Sequence, residues 1–361
     1  MNRSTGSPGD KAPIGVAIVG AGYWGPNLLR NFMREPRARV RWMCDLDVDR
    51  ARAVVGPYAR IDVTADLEEV LSDAGVDAVV VATPAGSHAP LAIAALESGK
   101  HVMVEKPLAT SVAEGRKMVE TAADRGLVLM CDHTYCYTPA VQRIRQLVRS
   151  GDIGELHYID SVRINLGLIR SDADVIWDLA PHDLSILDYV LPEGLRPRSI
   201  SASGVDPIGA GHPCIGYLTL PIGERALAHL HVNWLSPTKV RTMIIAGSEK
   251  MIVWDDLKPS QRLSLYDTGV DLARTHDDRD QRTQLRIAYR AGEIVAPALP
   301  EAEALGGAVA EFIASIREGR APATDGFAGL RVLAALEASY SSLCAGGSKV
   351  PISVSPVAND G

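Results

Sequence analysis

A glycine turn set between a short apolar strand and a helix constrains this chain more than any other feature. Residues 15–20 (GVAIVG) form an apolar run that stops at glycine, and a helical stretch follows over 23–34. Between them stand Gly20, Ala21, Gly22, Tyr23, Trp24 and Gly25, a GxGxxG in strand–turn–helix context. There Gly20 permits the tight turn, and Gly22 lets the backbone approach a pyrophosphate seated on unpaired helix N–H groups. Gly25 lets helix and strand pack closely. Asp45 lies 20 residues after Gly25, at the end of the next strand, residues 38–45. A carboxylate there accepts from both hydroxyls of an adenosine ribose and repels a 2′-phosphate, so NAD is expected over NADP.

The alternation continues. Residues 76–83, 101–107 and 126–132 are apolar strand candidates, and 87–100 carries Ala, Leu and Ile at helical spacing with Ser87 as its expected N-cap. Strands alternating with helices predict a parallel sheet covered on both faces. Further on, a helix is expected over 138–151, an alternating strand over 156–166, and four more strands between 198 and 247. Two helices, 304–319 and 327–343, follow, and the charged stretch 267–280 is expected to be a mobile loop. The 361 residues suggest two domains. Residues 1–12 read as a disordered tail, 13–133 as a dinucleotide-binding Rossmann domain, and 134–361 as a substrate-binding and oligomerisation domain. The last helices are left open to packing back on the first domain.

Composition narrows the function. The net charge is −7, with no Lys/Arg cluster, so nucleic acid is not an expected partner. No apolar run approaches the ~20 residues of a membrane span, and the polar start lacks the core of a secretory signal. Five scattered cysteines without a CxxC fit free thiols in a reducing cytoplasm. No metal site is expected; His229 and His231 alternate along a strand with no third ligand in view.

Three segments carry a resemblance: GAGYWG, residues 82–109 (ATPAGSHAPLAIAALESGKHVMVEKPLA) and residues 177–187 (WDLAPHDLSIL). Together they resemble the Gfo/Idh/MocA oxidoreductases, over residues from about 14 to the end. The EKP after a strand, with a downstream D-x-x-x-H, is more specific than the glycine motif. Residues 163–167, 177–183 and 239–256 look most like members of the UDP-N-acetylglucosaminuronate 3-dehydrogenase type. The resemblance implies an α/β fold: an N-terminal Rossmann domain, then a C-terminal α+β domain on a large, open, mostly antiparallel sheet. It implies that Tyr23, Trp24, Thr83, Pro84, His88, Glu105, Lys106 and Trp177 lie near NAD, with Thr83 beside the pyrophosphate and His88 near the nicotinamide ribose. It also implies a cis Lys106–Pro107 bond. His133 stands where relatives often have asparagine or arginine.

Oxidising a secondary alcohol requires a base for the hydroxyl proton and a donor for the developing alkoxide. Lys106, at the end of a cofactor-sheet strand, is assigned as the alkoxide stabiliser. Asp178 and His182, four apart, share a helix face. With the helix starting near Asp178, Pro181 falls in the first turn and His182 feels the positive end of the dipole, which favours the neutral imidazole. His182 is assigned as the proton acceptor, and Asp178 orients it or binds a sugar hydroxyl; the roles of Lys106 and His182 are interchangeable at this level. Arg163 and Asn165, at i and i+2 of a strand, are candidates for sugar hydroxyls or a carboxylate. The expected activity is NAD-dependent oxidation of a sugar hydroxyl, at C3, in amino-sugar or aminoglycoside-like biosynthesis. The rivals are a deoxysugar ketoreductase and a non-catalytic NAD-binding sensor. Relatives of the ketoreductase type favour NADPH and a tyrosine at position 182, and relatives of the sensor type lack the lysine or the histidine. An open sheet face favours a homodimer or homotetramer.

Overall fold

Strand β1 (Ile14–Val19) is buried from its second residue onward, and β4 (Ala78–Val81) at all four. A strand buried on both faces needs helices on both, and each fully buried Val contributes about 1.5–3 kcal/mol. The computed structural model describes residues 12–56, 60–171, 173–276 and 283–352; the expected tail at 1–12 lies outside them except for Ala12. The chain divides into two compact units, Met1–Tyr137 with Ala302–Leu333, and Thr138–Glu301 with Ala334–Gly361.

In the first unit β1 is followed by α1 (Gly25–Arg34), β2 (Ala38–Cys44), α2 (Val48–Val55), β3 (Asp62–Thr64), α3 (Leu67–Ser72), β4, α4 (His88–Glu97), β5 (His101–Glu105), α5 (Val112–Asp124) and β6 (Leu129–Asp132). The strands are parallel, in the order β3-β2-β1-β4-β5-β6. Strand order therefore reverses between β1 and β4, where a crevice opens at the C-terminal strand ends. This compact unit runs to Tyr137, and its turn Thr134–Tyr137 is tied to later chain: Tyr137 and Thr324 hydroxyls bond at 2.9 Å.

The second unit holds α6 (Pro139–Arg149), β7 (Leu156–Leu166), α7 (Val175–Val190), β8 (Ser199–Val205), β9 (Ile215–Ile222), β10 (Ala226–Asn233), β11 (Leu235–Gly247), β12 (Met251–Asp255), β13 (Leu263–His276) and β14 (Thr283–Val295). Its sheet runs β14-β13-β12-β11-β7-β10-β9-β8-β15, where β15 is Val350–Pro351. The pairing is antiparallel except between β10 and β7. Helix α7 covers one face; a Cβ at Gly216 of β9 would meet Ile176 Cγ1 at 2.7 Å. On the other face Tyr158, Tyr217 and Leu227 are exposed. The expected mobile loop at 267–280 is largely strand instead, since Asp267–His276 belongs to β13 and pairs with β14; residues 277–282 lie outside the described set.

Helices α8 (Ala304–Glu318) and α9 (Gly326–Cys344) follow. Helix α8 and the first part of α9 belong to the first unit. Phe312 packs edge-on against Phe32 of α1, centroids 6.5 Å apart, and Glu303 grips Arg30 with two bonds of 2.6 and 2.7 Å. The end of α9 serves the second unit, where Ser342 Oγ accepts the Ala202 N–H. Among the described residues no helix is long and apolar enough to cross a membrane.

Candidate active site

The glycine turn sits at the point of strand reversal. Gly20 has φ +107°, and a Cβ there would meet Ala82 O at 2.5 Å; one at Gly25 would meet Gly20 O. A Cβ at Gly22 would meet nothing within 4 Å, so the backbone is open on the side where a phosphate must approach. Helix α1 starts without a side-chain cap, which leaves its first N–H groups for an anion. Tyr23 and Trp24 flank the turn, both exposed and edge-to-face at 5.5 Å. Asp45 Oδ2 accepts the Ala21 N–H at 2.6 Å, while Oδ1 accepts from Asp47 N and Arg50. Burial works against its charge, but these donors outweigh burial and hold its carboxyl below the usual value. A carboxylate has about four lone-pair sites, so capacity remains for a ribose hydroxyl. These residues fit a dinucleotide.

The next two turns of the same sheet are tied together by His88. Its Nδ1 faces Pro107 O and its Nε2 faces Thr83 O, each at 2.8 Å. At 1% exposure it has no surface to offer a nicotinamide ribose, so the expected cofactor contact is replaced by a brace between two loops. Burial pushes this imidazole below its ordinary value, against the pull of both carbonyls. Ser87 is not a side-chain cap: its Oγ bonds Thr83 Oγ1 and Pro84 O, both at 2.8 Å. The Lys106–Pro107 bond is cis. Lys106 is half-buried at the end of β5. Glu105, expected near NAD, turns inward toward Asp132 of β6 and is 6% exposed.

In the second unit α7 begins at Val175, not near Asp178. The N-cap is Asp174, whose Oδ1 accepts from Ile176 N and Trp177 N at 2.8 and 2.9 Å. Pro181 therefore sits inside the helix, in its second turn, and His182 lies beyond the reach of the N-terminal dipole, which fades within the first turn. Trp177, Asp178, Leu179 and His182 are the half-exposed residues of an otherwise buried helix. Asp178 Oδ2 accepts the Trp234 indole N–H at 3.1 Å, and Arg170 Nη1 lies 3.8 Å from its Oδ1. Arg163 is 3% exposed and forks onto Asp183 through three contacts of 2.8–3.2 Å. Its guanidinium is thus committed to a buried ion pair that fixes α7 on β7, in place of the expected sugar contact. Asn165, on the same strand face, stays half-exposed.

Sequence reasoning missed Asp132, Asp183 and Trp234. Asp132 carried a readable signal, a polar residue ending an apolar strand; the other two acquire their roles from partners 20 and 56 residues away. Tyr217 stacks on His231 at 4.4 Å. Among the described residues no group of three or more His, Cys, Asp or Glu could hold a metal ion, and no cysteine is in a disulfide.

The comparisons with known proteins fit this layout. A 4-carboxy-2-hydroxymuconate-6-semialdehyde dehydrogenase of Sphingobium sp. is 30% identical over 316 residues, 85% of this chain and 91% of that protein. The UDP-N-acetylglucosamine 3-dehydrogenase of Acidithiobacillus ferrooxidans is 28% identical, covering 89% of this chain and 94% of its own. Its solved structure superposes with a TM-score of 0.76 at 24% identity, over 93% of this chain and 99% of that one. GenD2 from gentamicin A biosynthesis, solved with NAD, gives a TM-score of 0.77 at 24% identity over 95% and 97%. At these identities the two structures speak for the fold. Other matches are shorter: the chain spans 57% of the length of an uncharacterized oxidoreductase of Bacillus subtilis, 25% identical over 53% of this chain. The profile described as the oxidoreductase family, NAD-binding Rossmann fold, matches residues 14–133, and that of the GFO/IDH/MocA C-terminal domain matches 141–253. The chain belongs to the Gfo/Idh/MocA oxidoreductase family and carries its NAD-binding Rossmann domain.

Proposed function

We propose that this protein is an NAD-dependent dehydrogenase that oxidises a secondary hydroxyl of a sugar, at C3, to the ketone. The observation that carries the reading is the half-exposed Asp178–His182 strip on α7, present together with a lysine that directly follows a strand of the NAD-binding sheet. Bound NAD supplies the hydride acceptor. His182 takes the hydroxyl proton, and Lys106 stabilises the alkoxide that develops on the same oxygen. Asp178, oriented by Trp234, binds a neighbouring hydroxyl or steers the imidazole.

The names of two relatives, a UDP-N-acetylglucosamine 3-dehydrogenase and a gentamicin-pathway protein, favour an amino-sugar substrate, either nucleotide-linked or within a pseudo-oligosaccharide. A cytoplasmic setting suits cysteines that form no disulfide, and the exposed sheet face with Tyr158, Tyr217 and Leu227 suits a homo-oligomer, testable by light scattering. The deciding experiment follows NADH absorbance with UDP-sugars and aminoglycosides. NADH should appear with one of the two classes, together with a ketone located at C3 by mass spectrometry. Tight NAD binding with no turnover of either class would remove the dehydrogenase reading.

A further inference from the structure

Two carboxyl side chains are buried side by side at the root of Lys106. Glu105 ends β5, Asp132 ends β6, and the two are partners in the parallel register. They are 6% and 1% exposed. One oxygen of each has a donor: Lys106 N–H reaches Glu105 Oε2 at 3.3 Å, and Thr134 Oγ1 reaches Asp132 Oδ1 at 2.9 Å. Glu105 Oε1 and Asp132 Oδ2 have none. Yet the two carboxyls lie within hydrogen-bonding reach of each other.

Two carboxylates cannot bond to one another, because neither has a proton to donate. Both ionised in this interior, they would be two like charges with two orphaned oxygens, which burial strongly disfavours. One proton converts the contact into an O–H···O⁻ bond, satisfies both orphans at once and leaves a single negative charge. The titratable and charged groups around the pair are Lys106, the Cys131 and Cys136 thiols and the Tyr137 phenol, with His133 next in sequence. None of them donates to either orphaned oxygen.

We propose that Glu105 and Asp132 share one proton and act as a positioning pair for Lys106, setting one negative charge beside its ammonium and tethering its backbone N–H. Burial pushes the Glu105 carboxyl well above its ordinary value, and the neighbouring Asp132 charge adds to that; burial also raises Asp132. Burial thus favours one proton held between Glu105 and Asp132. The role of the pair rests on Lys106 acting at the substrate oxygen, whereas the shared proton does not depend on any substrate.

Infrared spectra of the NAD-free protein at neutral pH, compared in water and deuterium oxide, should show the C=O band of a protonated carboxyl, lost in Glu105→Gln. No band in the native protein, or a band that survives in Glu105→Gln, overturns the shared proton; the native band needs no variant, so a variant that fails to fold cannot shield the idea. Glu105→Gln keeps a donor for Asp132 and keeps the single charge, whereas Glu105→Gln with Asp132→Asn keeps neither the charge nor the proton. Acylation of Lys106, read by peptide mass spectrometry, should be about tenfold faster in the double variant than in Glu105→Gln, as expected when a charge-assisted restraint is lost. Equal rates overturn the positioning role. A protein that meets both expectations yet oxidises no sugar keeps its carboxyl pair and sinks the dehydrogenase reading instead.

Discussion

The two sheets solve the problem of burying a strand in opposite ways. In the first unit β4 is AVVV, buried at every residue, and chemistry is displaced to the turns beyond the strand ends: Gly20–Gly25, Thr83–His88, Glu105–Pro107. In the second unit β10 alternates buried and partly exposed residues along its length, and polar groups sit within strands and reach up to α7. The first arrangement works through backbone. Gly20, Gly22 and the uncapped start of α1 need their neighbours in sequence and little else. The second works through side chains from distant segments, as in Trp234 with Asp178 and Arg163 with Asp183. A fully buried strand has no free face on which to place a polar group, whereas a sheet with one face exposed does.

Four measurements sharpen or break that contrast. The largest effect is expected at the two residues proposed to carry the chemistry. Lys106→Ala and His182→Asn should each lower kcat by about 10²–10⁴-fold, with NAD affinity, followed by fluorescence titration, unchanged. Near-native turnover in both would detach either sheet from the chemistry.

Next comes the buried ion pair of the second unit. Arg163→Ala leaves Asp183 charged and unpartnered in the interior, and should cost about 3–5 kcal/mol in urea unfolding. A loss no larger than that of a surface substitution would show that Asp183 finds another partner. Trp234→Phe tests the cross-segment support more gently. Removing the N–H from Asp178 should lower kcat/KM for the sugar about tenfold, the value of a hydrogen bond to a charged group. No change there would mean that α7 alone orients Asp178.

The smallest effect belongs to the first unit. Arg30 bonds Glu303 and holds its carboxyl at about 2, below the ordinary value of 4.5, with burial opposing and Asn31 assisting. A lowered value means stability that is present above the ordinary glutamate range and lost as pH falls through it toward 2. Both partners are more than a third exposed, so solvent screening reduces the contribution to about 0.5 kcal/mol. Arg30→Ala should flatten that part of the stability–pH curve; an unaltered curve would show that α8 is held by packing at Phe312 and not by charge.

Much of the first unit was legible in the sequence, because its elements announce themselves locally. The apolar runs at 15–20, 38–45 and 101–107 became β1, β2 and β5, and the glycine spacing placed the turn. Misreadings cluster where a nearer or more distant partner won. Asp174, four residues before Asp178, took the cap because its carboxylate reaches the N–H groups of Ile176 and Trp177. Ser87 looked like a cap but found Thr83. The stretch 267–276 reads as charged loop by composition; as part of strand β13 it is held by its pairing with β14, which no local pattern displays.

What the residues alone determined was the alternation of elements, the glycine turn and the kinds of group available: an amine after β5 and an imidazole four residues beyond a carboxylate. Tertiary structure decided which of these groups remained open to chemistry. Arg163 was claimed by Asp183, His88 by two carbonyls and Glu105 by Asp132. A polar group that loses its water must take whatever partner folding brings beside it, and that partner stands on a neighbouring strand or helix rather than in the neighbouring sequence.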